Sequence, residues 1–215
     1  MFTGIIESIG SIRALTPKGG DVRDHVETGK LDLSDVKLGD SIAVNGVCLT
    51  ATTVEVAAFS AMVSPETLRV TSFGEATSGR LVNLERPLRA DGRIGGHFVL
   101  AHVDAVGRIT DLRPDGECYW LEIEFPSALA PLLVSKGSVA VDGVSLTIAA
   151  LEGRRFGVQI VPHTWAHTAV RASRLGEAVN LEADVIGKYV ARLLDAHWSQ
   201  PTLAEALATP GGGSV

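Results

Sequence analysis

Residues 40–50 read DSIAVNGVCLT and residues 137–147 read GSVAVDGVSLT. The two stretches run in one register, with Cys48 in the first where Ser145 stands in the second, 97 positions on. The same offset pairs Pro65 with Pro162, Thr67 with Thr164, Thr71 with Thr168, Gly10 with Gly107 and Ile12 with Ile109. It also lays VNLE at 82–85 on VNLE at 179–182. One offset serves each half from start to end, so neither carries a net insertion. Solenoid repeats have periods of roughly 20–50 residues; a longer period fits two copies of a small domain. The expected units are residues 1–97 and 98–185, with DGRIGGH (91–97) as the join.

Each copy reads as β-structure. Asn45-Gly46 sits between two apolar runs and supplies the positive φ values of a tight type I′ hairpin, and Asp142-Gly143 repeats the signal. Further strands are expected at 4–15 (GIIESIGSIRAL), 54–63 (VEVAAFSAMV) and 80–87 (RLVNLERP), and at their partners 97 residues later. Short strands this closely spaced point to a closed antiparallel barrel in each half, an all-β fold. SPETLRVTS (64–72) reads as one helical turn capped by Ser64, with Pro65 in its first position. PSALAPLLVSKG (126–137) reads as another short helix ending at Gly137.

The tail has no counterpart between the halves. From Asp184 onward, Val185, Tyr189, Leu193 and Ala196 recur at helical spacing, with Val190, Leu194 and Trp198 beside them. A helix over 186–198 is expected, and its apolar face needs cover. Self-association and docking onto its own barrel both provide it. Residues 199–215, ending PGGGSV, are expected to be disordered.

Composition removes several classes. The formal charge is −6 with acids and bases interleaved, so no basic stripe suits nucleic acid. No apolar run is long enough to cross a bilayer, and MFTGIIESIG lacks the positive start of a secretory signal. Cys48 and Cys118 show neither a disulfide pattern nor metal-ligand spacing, so a reducing, cytoplasmic setting is expected.

The chemistry has few candidates. GRIGGH (92–97) is glycine-rich like a phosphate loop but lies between strands, not before a helix. His97 and His102, five residues apart on an extended segment, fall on opposite faces of a strand and make a poor metal pair. What recurs is polar. Cys48 and Thr50 flank Leu49 and share one face; Ser145 and Thr147 flank Leu146 likewise. Ser41 and Ser138 lie on the partner strands. Singly, such residues satisfy backbone groups at barrel rims; recurring in both copies, they point to two similar pockets for two similar molecules. The copies differ in titratable groups: Phe2-Thr3-Gly4-Ile5 against Val99-Leu100-Ala101-His102, Glu66 against His163, Pro87 against Asp184. That suits a reaction in which two identical molecules play unlike parts. His102 and His163 are the general acid/base candidates, with plain hydrogen bonding as the alternative role.

MFTGI (1–5), NGVCLT (45–50), GGHFVLAHVD (95–104), DGVSLT (142–147) and VNLEADVIGKYV (179–190) together resemble the riboflavin synthase alpha-chain family. The resemblance implies two tandem Greek-key lumazine-binding barrels, a homotrimer built through the C-terminal helix, and sites between the first barrel of one subunit and the second barrel of its neighbour. It implies a four-carbon transfer between two 6,7-dimethyl-8-ribityllumazine molecules, giving riboflavin and 5-amino-6-(D-ribitylamino)uracil with no metal or added cofactor. Association with lumazine synthase is a further partner it suggests. For the first barrel it implies ligand contacts at Gly4, Ile5 and Ile6, at Cys48, Leu49 and Thr50, and at Met62, Val63, Ser64, Pro65, Glu66 and Thr67. For the second it implies Ala101, His102 and Val103, Lys136, then Ser145, Leu146 and Thr147, and Val161, Pro162, His163, Thr164, Trp165 and Ala166. Asp184 matches an acid that holds the ribityl chain or the ring. Phe2, Ser41, Cys48 and His102 match the positions most tied to turnover.

The sequence departs from the family pattern at Leu100, at Ala101 and Ala105 where glycines are usual, and at Trp165 where leucine is usual. Ala101 adds a methyl where backbone approaches the ring; Trp165 either stacks on a pteridine or packs. A non-catalytic lumazine- or flavin-binding relative of the optical-antenna type is the main rival. The presence of both His97 and His102 favours the enzyme. A barrel module for oligonucleotides or sugars fits poorly with the acidic balance and sparse aromatics.

Overall fold

The computed structural model describes residues 1–18 and 21–198; the segment expected to be disordered, 199–215, lies outside them. The first half forms β1 (Ser8–Lys18), β2 (Asp21–Glu27), β3 (Ser41–Val44), β4 (Val47–Val54), β5 (Ala58–Val63), helix α1 (Pro65–Val70) and β6 (Leu81–Glu85). Its strands close into an antiparallel barrel in the order β1-β2-β5-β4-β3-β6. The second half repeats the plan with β7 (Ala105–Asp115), β8 (Cys118–Glu124), β9 (Ser138–Val141), β10 (Val144–Glu152), β11 (Arg155–Ile160), helix α2 (Pro162–His167) and β12 (Ala178–Ala183), closed as β10-β11-β8-β7-β12-β9. In each, three hairpin-linked strands (β3-β4-β5, β9-β10-β11) and a fourth (β6, β12) that returns beside the first of them form a Greek key.

Alternation along the strands fills both lumens. Ile42, Val44, Leu49, Phe59, Ala61, Val63, Val82 and Leu84 pack inside the first barrel; Val139, Val141, Leu146, Phe156, Val158, Ile160, Val179 and Leu181 take the corresponding places in the second. Each lumen is a core, so ligands have only the outer faces to bind. The Asn45-Gly46 and Asp142-Gly143 turns fall as expected, all four residues at positive φ. α1 is capped by Ser64, whose Oγ accepts from Thr67 N at 3.1 Å.

Two expectations need correction, and one strand of the first barrel was not expected. The strand expected from Gly4 begins only at Ser8, because Gly4 turns left-handed at φ 73° and carries residues 4–6 away from their own barrel. The helix expected over 126–137 is a short 3-10 stretch, Ser127–Leu132, that contains Pro131; the segment beyond it turns at Lys136, φ 65°. The strand β2 had no clear sequence signal. Asp24 occupies the inward position held by Leu121 in the second copy, so the apolar alternation is broken there.

The halves meet about an approximate two-fold axis. Gly46 and Gly143 face each other so closely that a Cβ on either would lie 2.7 Å from the other's backbone nitrogen. The VNLE asparagines exchange bonds across the axis: Asn83 Nδ2 donates to Asp142 O at 2.9 Å and Asn180 Nδ2 to Asn45 O at 2.8 Å. Their side-chain oxygens accept from Ala169 N and Ser72 N in the opposite halves, both at 2.7 Å. Arg80 and Glu177, equivalent positions in the repeat, form an ion pair at 3.4 Å.

The last element is α3 (Val185–Trp198). Asp184 Oδ1 accepts from Ile186 N at its start, and Lys188 pairs with Asp104 of the second half at 2.7 Å. Between Tyr189 and Leu194 the chain's own barrels leave much of the helix open. Tyr189 and Leu193 are each 69% exposed, and Ile186, Val190 and Leu194 also stand open. Among the described residues, no helix is long and apolar enough to cross a membrane.

Candidate active site

Two open shelves lie on the outer faces of the barrels. On the first, Cys48 and Thr50 project outward from β4 while Leu49 points into the core; Ser41 on β3 pairs directly with Thr50. Ala51 pairs with Ala61, which sets Thr50 and Met62 at the same end of adjoining strands, next to the start of α1. The second shelf has the same plan: Ser145 and Thr147 outward from β10, Leu146 inward, and the start of α2 beyond β11. Val63, Leu49 and Leu146 are buried, so they offer a ligand backbone and not side chain.

Each shelf is completed by the other half. Cys48 N donates to Ala101 O at 2.9 Å, and Ser145 N donates to Gly4 O at 2.8 Å. Val103 packs against the first barrel's core and Ile6 against the second's. The sequence reading put Gly4, Ile5 and Ile6 with the first barrel and Ala101, His102 and Val103 with the second; the structure exchanges them. The reason lies just upstream, where Phe2 and Val99 pair antiparallel, Phe2 N to Val99 O at 2.7 Å and Val99 N to Phe2 O at 3.2 Å. That bridge sends the two arms past each other. Phe2 is 1% exposed in a small cluster with Ala43, Val99, Ala101 and Ala140, against which Cys48 packs. It supports the shelf from beneath.

The VNLE glutamates fix the arms. Glu85 accepts from Thr3 N at 2.6 Å, Thr3 Oγ1 at 2.7 Å and Gly4 N at 2.9 Å. Glu182 accepts from Leu100 N at 2.7 Å and His102 N at 3.2 Å. Burial pushes both carboxyls above the ordinary carboxylate range, against the pull of these donors. Their place in a duplicated VNLE was visible in the sequence; their role as anchors was not.

The shelves differ chemically. On the second, His97 Nδ1 lies 2.7 Å from Ser145 Oγ, and its Nε2 is buried without a partner. Burial holds this imidazole below the usual histidine value, while the charge of Asp184 pulls the other way. His97 is thus an imidazole whose neutral form burial favours, bonded to the polar residue equivalent to Cys48; as a contact it was weighed only as a metal ligand, though its presence beside His102 already favoured the enzyme. Gly4 and Gly96 close over Ser145; a Cβ on either would lie within 2.7 Å of Ser145 Cβ. On the first shelf Cys48 is a free, half-buried thiol and the His102 ring is exposed.

The remaining candidates are placed as follows. Ser64, Pro65 and Glu66 are exposed along α1, with Thr67 half-buried, and Glu66 is held by Arg69 at 2.6 Å. Val161, Pro162, His163 and Ala166 are exposed on and before α2, with Thr164 half-buried. Trp165, half-buried, stacks on Tyr119 with ring centroids 3.7 Å apart and planes 9° from parallel, so at least one face of its ring is taken up by packing. Lys136 is exposed, its Nζ 3.3 Å from Ala149 O on β10. Ala101 adopts φ 59° at the place equivalent to Gly4 and is buried.

Two outward shelves on duplicated barrels, each finished by an exchanged arm, define a tandem-barrel protein with a pair of equivalent candidate sites. The model of the lumazine binding domain matches residues 3–87 and again 100–184. The chain is 46% identical over 194 residues to the riboflavin synthase of Photobacterium phosphoreum, spanning 90% of this chain and 89% of that one. It is 41% identical over 215 residues to that of Bacillus subtilis (strain 168), spanning 99% and 100%. The fold is shared with LumP in complex with 6,7-dimethyl-8-(1'-D-ribityl) lumazine (TM-score 0.77, 21% identity, 85% of this chain and 99% of that one). It is shared equally with LumP in complex with riboflavin (TM-score 0.79, 21% identity, the same coverage). The chain belongs to the riboflavin synthase family.

Proposed function

We infer that the protein is a riboflavin synthase, a transferase that dismutates two 6,7-dimethyl-8-ribityllumazine molecules into riboflavin and 5-amino-6-(D-ribitylamino)uracil. The observation that carries this reading is a pair of equivalent shelves with unequal polar groups: a free thiol at Cys48 beside exposed His102 on one, a Ser145–His97 pair on the other. A reaction between two copies of one molecule needs two like binding places and two unlike chemical roles. One lumazine loses a proton from its C7 methyl; the other accepts the resulting carbanion after activation by a nucleophile. The second shelf suits the acceptor, because neutral His97 sits where it can take the Ser145 proton as that oxygen adds to the ring. Cys48 and His102 then serve the donor, with Ser41 and Phe2 as positioning residues. Much of the acceleration comes from alignment, which is worth about 7–11 kcal/mol at best.

The open shelves need a partner surface to exclude water. The bare face of α3 supports a homotrimer that sets the first shelf of one subunit against the second shelf of the next. Docking with lumazine synthase, which would supply the substrate, belongs to the same reading. Two unpaired cysteines support a cytoplasmic, reducing location.

Mixing the purified protein with 6,7-dimethyl-8-ribityllumazine tests the assignment. The enzyme yields riboflavin fluorescence and the pyrimidine product in equal amounts. An optical-antenna protein binds the lumazine and returns it unchanged, and that result would replace the present reading.

A further inference from the structure

We propose that His163 and His167 form a two-imidazole chelate for a zinc-class divalent cation at the rim of the second shelf, and that a cation held there inhibits turnover. The two residues stand four apart on α2, so their side chains emerge on one face, one above the other. Their rings lie 4.1 Å apart, centroid to centroid, with planes 23° from parallel. Both are exposed, so a cation has an open approach.

His167 is set for coordination. Its Nδ1 lies 2.8 Å from the carbonyl oxygen of His163. A carbonyl only accepts, so Nδ1 donates to it and Nε2 is the ring nitrogen left to meet a cation. A ring nitrogen donating to a backbone carbonyl while the other meets the metal is the usual support for a ligating histidine. Imidazole pairs favour Zn²⁺, Ni²⁺ and Cu²⁺ over Mg²⁺ or Ca²⁺. No group of three or more His, Cys, Asp and Glu suited to a metal forms among the described residues. The other coordination positions are therefore left to water or to a donor atom of a bound molecule. The first copy has Glu66 and Val70 at the equivalent places, so the chelate belongs to one barrel only. His163 lies in the 161–166 stretch assigned to the shelf, which is why occupancy would block it. The inhibition clause rests on the proposed function; the binding clause does not.

Calorimetric titration of the full chain with Zn²⁺ near neutral pH, in wild type and His167→Ala, tests the site. The expected result is one cation per chain, held at least tenfold more weakly by the variant; losing even an outer support of a ligating histidine weakens a site by about 10- to 100-fold. No saturable uptake, or equal affinity in the variant, overturns the chelate. Turnover is then followed in Zn²⁺, with EDTA added afterwards. Wild type should lose activity and regain it, while His167→Ala keeps its basal rate throughout. Zn²⁺ bound without loss of activity overturns the inhibitory role alone. If neither protein converts lumazine, the functional assignment fails, and the titration still decides the site.

Discussion

Gly4→Ala isolates the contact that finishes the second shelf. Gly4 holds φ 73°, and an added Cβ would lie 2.6 Å from Ser145 Cβ and 2.7 Å from Ser145 N. The left-handed conformation costs an L-residue about 1–2 kcal/mol. The clash adds to this unless the arm lifts off the second barrel. Lifting forfeits the bond from Ser145 N to Gly4 O, worth about 0.5–1.5 kcal/mol. The reduced freedom of the unfolded chain returns about 0.4–1 kcal/mol. The net expectation is a loss of about 2 kcal/mol in denaturant unfolding, together with weakened lumazine binding at one of the two shelves.

Ala101→Gly is the matched control. Its methyl is already accommodated at φ 59° in a buried cluster. Relief of about 1–2 kcal/mol is set against a lost methyl at about 0.8 kcal/mol and added chain entropy of about 0.4–1 kcal/mol. Stability should stay within about 1 kcal/mol of wild type on that balance. If Gly4→Ala unfolds like wild type and binds lumazine at both shelves with unchanged affinity, the exchanged arm does not hold the second shelf.

Burial without partners raises Asp24 to about 7, and burial raises Asp142 to about 7. Each native group keeps a proton that the unfolded chain has lost, so its stabilisation is full below about pH 4 and disappears as pH rises through about 7. At roughly 1.4 kcal/mol per unit this amounts to at most about 4 kcal/mol for each group; Asp24→Leu and Asp142→Asn should flatten the melting profile, and an unchanged slope in both would contradict it. His97→Ala should cut turnover by about 10²-fold, and His97→Asn, whose amide can hydrogen-bond Ser145 but cannot take its proton, should stay as slow; near wild-type turnover in His97→Asn would remove proton transfer to His97 from the mechanism. Leu193→Glu on the bare face of α3 should yield monomers with little activity by light scattering, and a fully active monomer would show the shelves work unaided. Cys48→Ala and His102→Ala should lower turnover while the melting temperature holds; wild-type rates in both exclude them.

What the sequence revealed follows from where side chains report on structure. The hairpins were legible because only Asn-Gly or Asp-Gly chemistry tolerates two successive positive φ values. α1 was legible through Ser64 and Pro65, and α3 through its spacing. β2 was hidden because Asp24 points into the lumen and breaks its apolar alternation; β8, with Leu121 in that place, was not among the expected strands either. The exchange of arms was hidden for another reason. It is written in backbone bonds, Cys48 N to Ala101 O and Ser145 N to Gly4 O, which place no demand on side-chain identity except that one position stay small. The bond from His97 to Ser145 was hidden because it joins residues 48 apart that no local spacing relates.

The reciprocity of the halves also accounts for the unbroken offset from which the fold was read. Asn83 reaches the turn and the Ala169 segment of the second half, and Asn180 reaches the turn and the Ser72 segment of the first. Each shelf takes its floor from one half and its edge from the other. An insertion in either copy would displace an arm that the opposite barrel needs, and both sites would suffer. The two-fold relation therefore constrains backbone length more than side-chain chemistry. On the shelves the copies diverge at Cys48 and Ser145, at Ile5 and His102, and at Pro87 and Asp184. Under the proposed function, differences of this kind let two like shelves treat one molecule in two ways.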